Sequence, residues 1–230
     1  MDNAQITLLR EFWTAALFTE TAEEFRDSSA VSDYHVNDTF NFLIRCYQAS
    51  ERKYHNLNHL EFLFKIETPG VWSDRDLLIR TLFFFFHDCV YQIDPSNPVA
   101  DNEHRSAVEA MVRMQQMGFM KDESIIKRVC ETIELSNHTS TTSDPLQQFL
   151  LDCDLAILGA EPDEYTNYVH NVRNEYGLVP QSTWVQKRGE FLKYMLNKKS
   201  IFQNPHFITH YEKKAIKNME NELISLAFIR

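Results

Sequence analysis

Apolar side chains recur every three or four residues along most of the chain. The pattern is clear from Ile6 to Leu17 and again from Phe40 to Tyr47. This spacing gathers apolar positions on one face of an α-helix, whereas no long window shows the alternation of a half-buried strand. Further helices are predicted near 56–67, 74–89, 101–118, 122–136, 144–155, 161–176, 181–197 and 208–226. The pattern therefore predicts an all-α protein.

Helix boundaries and short breaks indicate one helical domain. The start and stop signals are Asp74 and Asp144 as N-caps, Pro145 and Pro162 in first turns, and Gly118 and Gly159 at helix ends. The breaks are short, and none has the Pro, Gly and Ser composition of an interdomain linker. We expect a single-domain helical bundle over 1–230, with its motif-bearing core at about 40–176 and the terminal helices packed on it.

Composition and charge narrow the class of protein. With 43% hydrophobic and 24% charged residues, the chain resembles an ordinary folded globule. It has 23 Lys and Arg against 33 Asp and Glu, a formal net charge of -10. This balance disfavours binding to a nucleic-acid polymer but leaves room for a small anionic partner.

Two further features bear on the compartment. The four cysteines form no CxxC pair and are expected to be reduced thiols. The first ten residues lack the basic and apolar pattern of an export signal, and no apolar run reaches the ~20 residues of a membrane span. We expect a cytoplasmic protein with no membrane partner.

Two histidines stand four residues apart in the segment 52–60, Arg-Lys-Tyr-His-Asn-Leu-Asn-His-Leu. If a helix covers both His55 and His59, their imidazoles lie on one face and converge on one site. Taken alone, the pair is explained equally well as surface or capping histidines. Its meaning depends on the other segments.

A second segment ends a nearly all-apolar helix with a His-Asp pair. Residues 77–86 are apolar on nearly every helical face and lead to His87 and Asp88, so this helix is expected to be central. A carboxylate and an imidazole at the end of a buried helix are costly unless they are paired or bind a cation. Metal ligation would offset that cost. The alternative is a capped helix end at which both side chains bond to the backbone.

The third segment, 149–159, sets two carboxylates inside an apolar run. Asp152 and Asp154 cannot both face the core on a regular helix, so one could ligate a cation while the other caps the helix or orients a ligand. Ordinary capping aspartates are an equal alternative for this segment alone. The three segments together offer His, His-Asp and Asp, a nitrogen and oxygen set suited to a divalent Mn, Fe, Co, Ni, Zn or Mg ion.

This succession resembles the HD superfamily of metal-dependent phosphohydrolases, in which a His, a His-Asp pair and an Asp stand on separate helices of an all-α domain. The resemblance covers about 52–159. The chain looks like a bacterial-type group described as predicted HD phosphohydrolases. Four motifs carry the likeness: Tyr-His-Asn-x-x-His-Leu at 54–60, Phe-His-Asp-x-Val-Tyr at 86–91, Asn-Glu-x-x-Ser-Ala at 102–107 and Asp-x-Asp-Leu at 152–155.

The resemblance implies roles for the two histidines of the first motif. Cyclic-nucleotide phosphodiesterases share this opening, and there the second His binds metal while the first is the general acid. By that likeness His59 is a ligand and His55 the proton donor. The second His and the Pro-Gly that follow the phosphodiesterases' His-Asp pair are absent from 89–91, so a cyclic nucleotide is not implied.

The resemblance also completes the ligand set. His87 and Asp88 would join His59 at the metal. Related proteins usually have a Leu one or two positions after the metal-binding Asp, which favours Asp154 as the last ligand. Asp152 would then orient one of the metal ligands without binding the metal itself.

Other polar residues have two interpretations each. Glu103 could orient water as a general base, or compensate a helix dipole in a first turn. Arg52 and Lys53 could neutralise phosphate, or lie on a charged outer face. His138 could contact phosphate or a second metal, or be a loop histidine.

The sequence thus predicts a hydrolase of phosphate esters or anhydrides that uses metal-activated water on a small phosphorylated molecule, such as a nucleotide. The alternative is a non-catalytic protein that senses a phosphorylated ligand on the same scaffold. A third interpretation, a helical scaffold that only resembles HD proteins, predicts no bound metal.

Overall fold

A computed structural model describes residues 3–27, 29–67, 70–93 and 101–228, and the regular secondary structure in these ranges is helical. They contain twelve α-helices, one 3-10 turn and no strand. The predicted all-α class is confirmed. The helices are α1 (Asn3–Leu17), α2 (Glu20–Phe25), α3 (Ala30–Tyr47), α4 (Leu57–Lys65), α5 (Asp74–Phe86), α6 (Asn102–Gln116), α7 (Glu123–Leu135), α8 (Pro145–Leu155), α9 (Pro162–Glu175), α10 (Gln181–Leu196), α11 (Pro205–His210) and α12 (Glu212–Ala227), with the 3-10 turn Ala156–Gly159 after α8.

The predicted helix boundaries are close to the observed ones, with local differences. The single helix predicted over 208–226 is instead the pair α11 and α12, which meet at Tyr211, and the short α2 was not predicted. The predicted N-cap of α5 was wrong by one position. Ser73 is the cap, because its hydroxyl accepts the N–H of Asp76, and Asp74 lies in the first turn. Asp144 caps α8 as predicted.

The contacts divide the chain into two compact units. Within the described residues, the first consists of 3–27, 29–67, 70–92 and 101–140, and the second of 93 and 141–228. The single domain expected over 1–230 stays a prediction.

The first unit is built around α5, which packs against α1, α2, α4, α6 and α7. Its side chains from Leu82 to Phe86 are all buried. The ring of Phe85 meets the rings of Trp13, Phe40 and Phe64 at centroid separations of 5.1, 6.0 and 5.5 Å. The central position predicted for this helix is confirmed, and its C-terminal end lies inside the unit.

The second unit is held by α12, which packs against the 3-10 turn, α10 and α11. Its interior contains a buried ion pair in which Arg188 donates two bonds to Glu222, at 2.8 and 3.1 Å. Arg188 also donates to the hydroxyl of Tyr168, and Tyr165 donates its own hydroxyl to Glu222. Since a buried charge is costly when it is unpaired, this network has to form together with the fold.

The cysteines and the helix lengths complete the description. All four cysteines are free, as expected, and burial raises the pKa of the Cys89 thiol above its ordinary value. Within the described ranges, no helix is both long enough and apolar enough to cross a bilayer.

Two glycines of opposite character allow a matched test of the fold. Gly118 has φ +91°, and a Cβ there would clash with Ser32 Oγ and lie 2.6 Å from the Asp27 carbonyl oxygen. Gly118→Ala should therefore destabilise the protein by about 2 kcal/mol or more. Gly189 lies inside α10, and a Cβ there would meet no neighbouring atom within 4 Å, so Gly189→Ala should stabilise by roughly 0.5–1 kcal/mol. Urea unfolding measures the change in the free energy of unfolding for each variant. Changes of the same sign would contradict the different roles assigned to the two glycines.

Candidate metal centre

The two histidines of the first motif do not share a helix. Asn56 caps α4 by accepting the N–H of Asn58, so the helix begins at Leu57 and His55 lies in the turn before it. His59, in the first turn of α4, has a side chain with 0% exposure, whereas that of His55 is 18% exposed. The cap therefore separates a buried imidazole from one that solvent can reach.

The second motif lies at the C-terminal end of α5. His87 is the C-cap residue, and its backbone N–H still reaches the carbonyl of Phe83. Its ring Nδ1 lies 3.0 Å from the carbonyl oxygen of Phe84, which can only accept, so Nδ1 carries the proton and donates it. In a neutral ring, Nε2 then keeps its lone pair. That atom lies 3.1 Å from Nε2 of His59.

The carboxylate of Asp88 lies among all three imidazoles. Its Oδ2 is 3.2 Å from Nε2 of His87 and 4.0 Å from Nε2 of both His59 and His55. The Asp88 side chain is 16% exposed. The first and second motifs are thus brought together as the sequence predicted, around one carboxylate oxygen.

The arrangement fits a divalent cation. In the first unit, His59 and His87 each offer one imidazole nitrogen that could bind a metal ion, whereas Asp154 belongs to the second unit and its part in the site stays a prediction. Two imidazole nitrogens bonded to one ion at ~2.0–2.1 Å lie roughly 3 Å apart, which matches the separation of the His59 and His87 nitrogens. Without an ion, the same separation is a hydrogen bond from His59 to His87. A carboxylate and neutral imidazoles suit the ions predicted from the sequence.

The third motif has a structural role that the sequence did not show. Asn102 and Ser106 lie one turn apart on α6. The amide of Asn102 bonds both the N–H and the carbonyl of Gln92, and the hydroxyl of Ser106 does the same at Val90. Four hydrogen bonds therefore fix the segment that follows the His-Asp pair. The spacing of four residues was the available signal.

The ring of His55 is held by two tyrosines. Tyr91 stacks on it at a centroid distance of 4.1 Å and an interplanar angle of 28°, and Tyr54 meets it edge-on at 4.8 Å. Both tyrosines belong to the motifs, yet the sequence suggested no role for them. Stacking restricts the directions in which the imidazole nitrogens can point.

The two aspartates of the fourth motif differ in burial. Asp152 is fully buried, and its Oδ2 accepts the backbone N–H groups of Gln203 and Asn204 at 2.8 and 2.6 Å. Its Oδ1 is buried and has no hydrogen-bond partner among the described residues. Burial raises the pKa of this carboxyl to about 7, against the two N–H donors, which lower it. Asp152 thus fixes the backbone before α11, while its action on a metal ligand stays a prediction. Asp154 is half-buried on α8.

Lys53, Glu103 and His138 are the other residues for which the sequence predicted a role in catalysis or phosphate binding. Lys53 is exposed and donates to the carbonyl of Ser50. Glu103 is in the first turn of α6, where a carboxylate compensates the helix dipole. His138 follows α7 with φ 56°, in the left-handed region. The catalytic and phosphate-binding roles of these residues stay predictions.

No protein-family model, curated protein or solved structure matches the chain. The resemblance to the HD superfamily therefore rests on the four sequence motifs and stays a prediction.

The two aspartates can be separated by metal titration. Asp154→Ala should abolish binding of Mn²⁺ or Co²⁺, because it removes a ligand. Asp152→Asn keeps an oxygen that can accept the N–H groups of Gln203 and Asn204, and should weaken binding by at most ~10- to 100-fold. Calorimetric titration of each variant measures this, with unfolding curves to show that both are folded. The reverse ranking would place the ligand at Asp152.

Proposed function

We propose that this chain is a metal-dependent phosphohydrolase of the HD superfamily. It hydrolyses an ester or anhydride bond in a small phosphorylated molecule, such as a nucleotide. The observation that carries the proposal is the position of His55, whose Nε2 lies 4.0 Å from the Asp88 carboxylate while its ring remains partly exposed. A protein that only holds a cation has no use for a solvent-reachable proton carrier beside its ligands.

The proposed ligands are His59, His87, Asp88 and Asp154. A divalent ion held by them would lower the pKa of a water molecule and polarise a phosphoryl oxygen. The backbone bond from His87 Nδ1 to Phe84 keeps the opposite nitrogen turned toward His59. This outer bond therefore prepares a ligand before any ion arrives.

His55 supplies the proton in the proposed reaction. Its Nε2 would hold a proton and donate it to the oxygen of the departing group as the bond to phosphorus breaks. Stacking on Tyr91 keeps the ring in place while the proton leaves. A proton from solvent then restores the ring, since the side chain is 18% exposed.

Metal-dependent turnover tests the proposal. The protein should release phosphate from at least one class in a panel of nucleoside mono-, di- and triphosphates and sugar phosphates, assayed with Mg²⁺, Mn²⁺, Fe²⁺, Co²⁺, Ni²⁺ or Zn²⁺. Release should need both the ion and His59, so His59→Ala is the control. Binding of a panel compound without any release would favour the sensing protein instead. If the protein takes up no ion at all, the remaining interpretation is a helical scaffold that only resembles HD proteins.

The role of His55 is tested by comparing leaving groups. His55→Ala should retain its metal but lose ~10²-fold or more in turnover on substrates with poor leaving groups. The nitrophenolate of a nitrophenyl phosphate leaves without protonation, so turnover of that substrate should fall much less. Phosphate release from both substrates, with metal content measured on the same samples, gives the comparison. Equal losses would make His55 a positioning residue, and loss of the metal would make it a ligand.

A further inference from the structure

Arg52 is a buried arginine whose guanidinium faces main-chain carbonyls. The residue is 8% exposed. One terminal nitrogen, Nη1, donates to the carbonyls of His55 at 3.2 Å and of Asp88 at 2.8 Å, and the other, Nη2, donates to the carbonyl of Cys89 at 3.1 Å. The side chain therefore joins the turn that carries His55 to the turn that carries Asp88.

Helix geometry explains why a cation lies there. Asp88 and Cys89 directly follow the end of α5, where carbonyl groups lack partners within the helix and carry its partial negative charge. The bond to the Cys89 carbonyl is buried and that to the Asp88 carbonyl is partly buried, so a donor from the protein replaces water there. The rings of Tyr47 and Tyr91 flank the guanidinium at 5.0 and 5.7 Å. A planar fork of donors fits this slot, whereas an ammonium group cannot reach all three carbonyls in the same geometry.

The same contacts leave the guanidinium poorly placed for a substrate. Both hydrogens of Nη1 and one of Nη2 are donated to carbonyls, so a phosphate held by both terminal nitrogens would displace bonds that hold the site together. Breaking them would leave these carbonyls unsatisfied. The phosphate-neutralising role predicted from the sequence is therefore the weaker of the two explanations for Arg52.

We propose that Arg52 is a positioning residue, which sets the placement of His55 relative to Asp88 through their main-chain carbonyls and does not bind the substrate's phosphate. This inference rests on the proposed metal site. Arg52 acts through the carbonyls of His55 and Asp88, because holding each carbonyl also places the side chain of the same residue. Tyr91 adds a third contact, since it stacks on His55 and borders the guanidinium.

The test compares Arg52→Lys and Arg52→Met with the wild-type chain, using Co²⁺ alone and then inorganic phosphate as probes. Both variants should bind Co²⁺ roughly 10- to 100-fold more weakly, which is the usual effect of losing a partner behind a metal ligand. The visible absorption bands of the bound Co²⁺ should also change. At saturating Co²⁺, the dissociation constant for inorganic phosphate should stay near that of the wild type. Arg52→Lys should bind Co²⁺ no more tightly than Arg52→Met, because a positive charge alone does not replace the planar set of N–H donors.

Arg75→Lys is the matched control. Arg75 also donates hydrogen bonds, but to the side-chain oxygens of Asp122 and Ser124 at the start of α7. This variant should keep wild-type Co²⁺ affinity and spectrum, which separates the loss of any arginine from the loss of Arg52.

The outcomes are distinct. An unchanged Co²⁺ spectrum and affinity in Arg52→Lys, together with weaker phosphate binding, would make Arg52 a phosphate ligand and overturn the proposal. Failure of Arg52→Lys to fold would also overturn it, because Arg52 would then serve the whole fold and not the site. If the wild-type chain takes up no Co²⁺, the proposed function itself fails, and that result is read before any variant is compared.

Discussion

The buried C-terminal end of α5 is the constraint on which the site depends. This helix is buried from Leu82 to Phe86, so the polar groups that follow it cannot rely on water. The Phe84 carbonyl accepts a hydrogen bond from the His87 ring, and the carbonyls of Asp88 and Cys89 accept from Arg52. Ser106 then bonds the backbone beyond them. The requirement for partners at one helix end thereby determines where several motif residues stand.

The same requirement prepares the chemistry. An imidazole whose Nδ1 is bonded to a carbonyl, as in His87, presents Nε2 in one fixed direction, and such a nitrogen next to a second imidazole and a carboxylate forms a ready donor set. In this chain the bonds that satisfy the buried backbone also orient His87 and place Asp88 between His55 and His59. The stability of this helix end and the proposed chemistry depend on the same few hydrogen bonds, so they cannot be varied independently.

Features with a local cause could be predicted from the sequence. The central α5 followed from an apolar run without a polar face, and the cap at Asp144 from the residue type before a proline. The partners of Arg52 could not be predicted, because an arginine has the same appearance in sequence whether it faces phosphate or carbonyls. Two of its acceptors lie 36 and 37 positions away along the chain. The hydrogen bonds of Asn102 and Ser106 could not be predicted either, because the sequence does not show which backbone groups lie opposite them, although their motif was recognised.

The acceptors that Arg52 uses are main-chain oxygens, and every amino acid carries one. The side chains at positions 55, 88 and 89 are therefore not what Arg52 recognises. Sequence drift could replace the proton donor or a carboxylate while the framework around them persisted. In such a lineage the proposed hydrolysis would be lost before the backbone arrangement that Arg52 holds, and that arrangement would remain available for a different use.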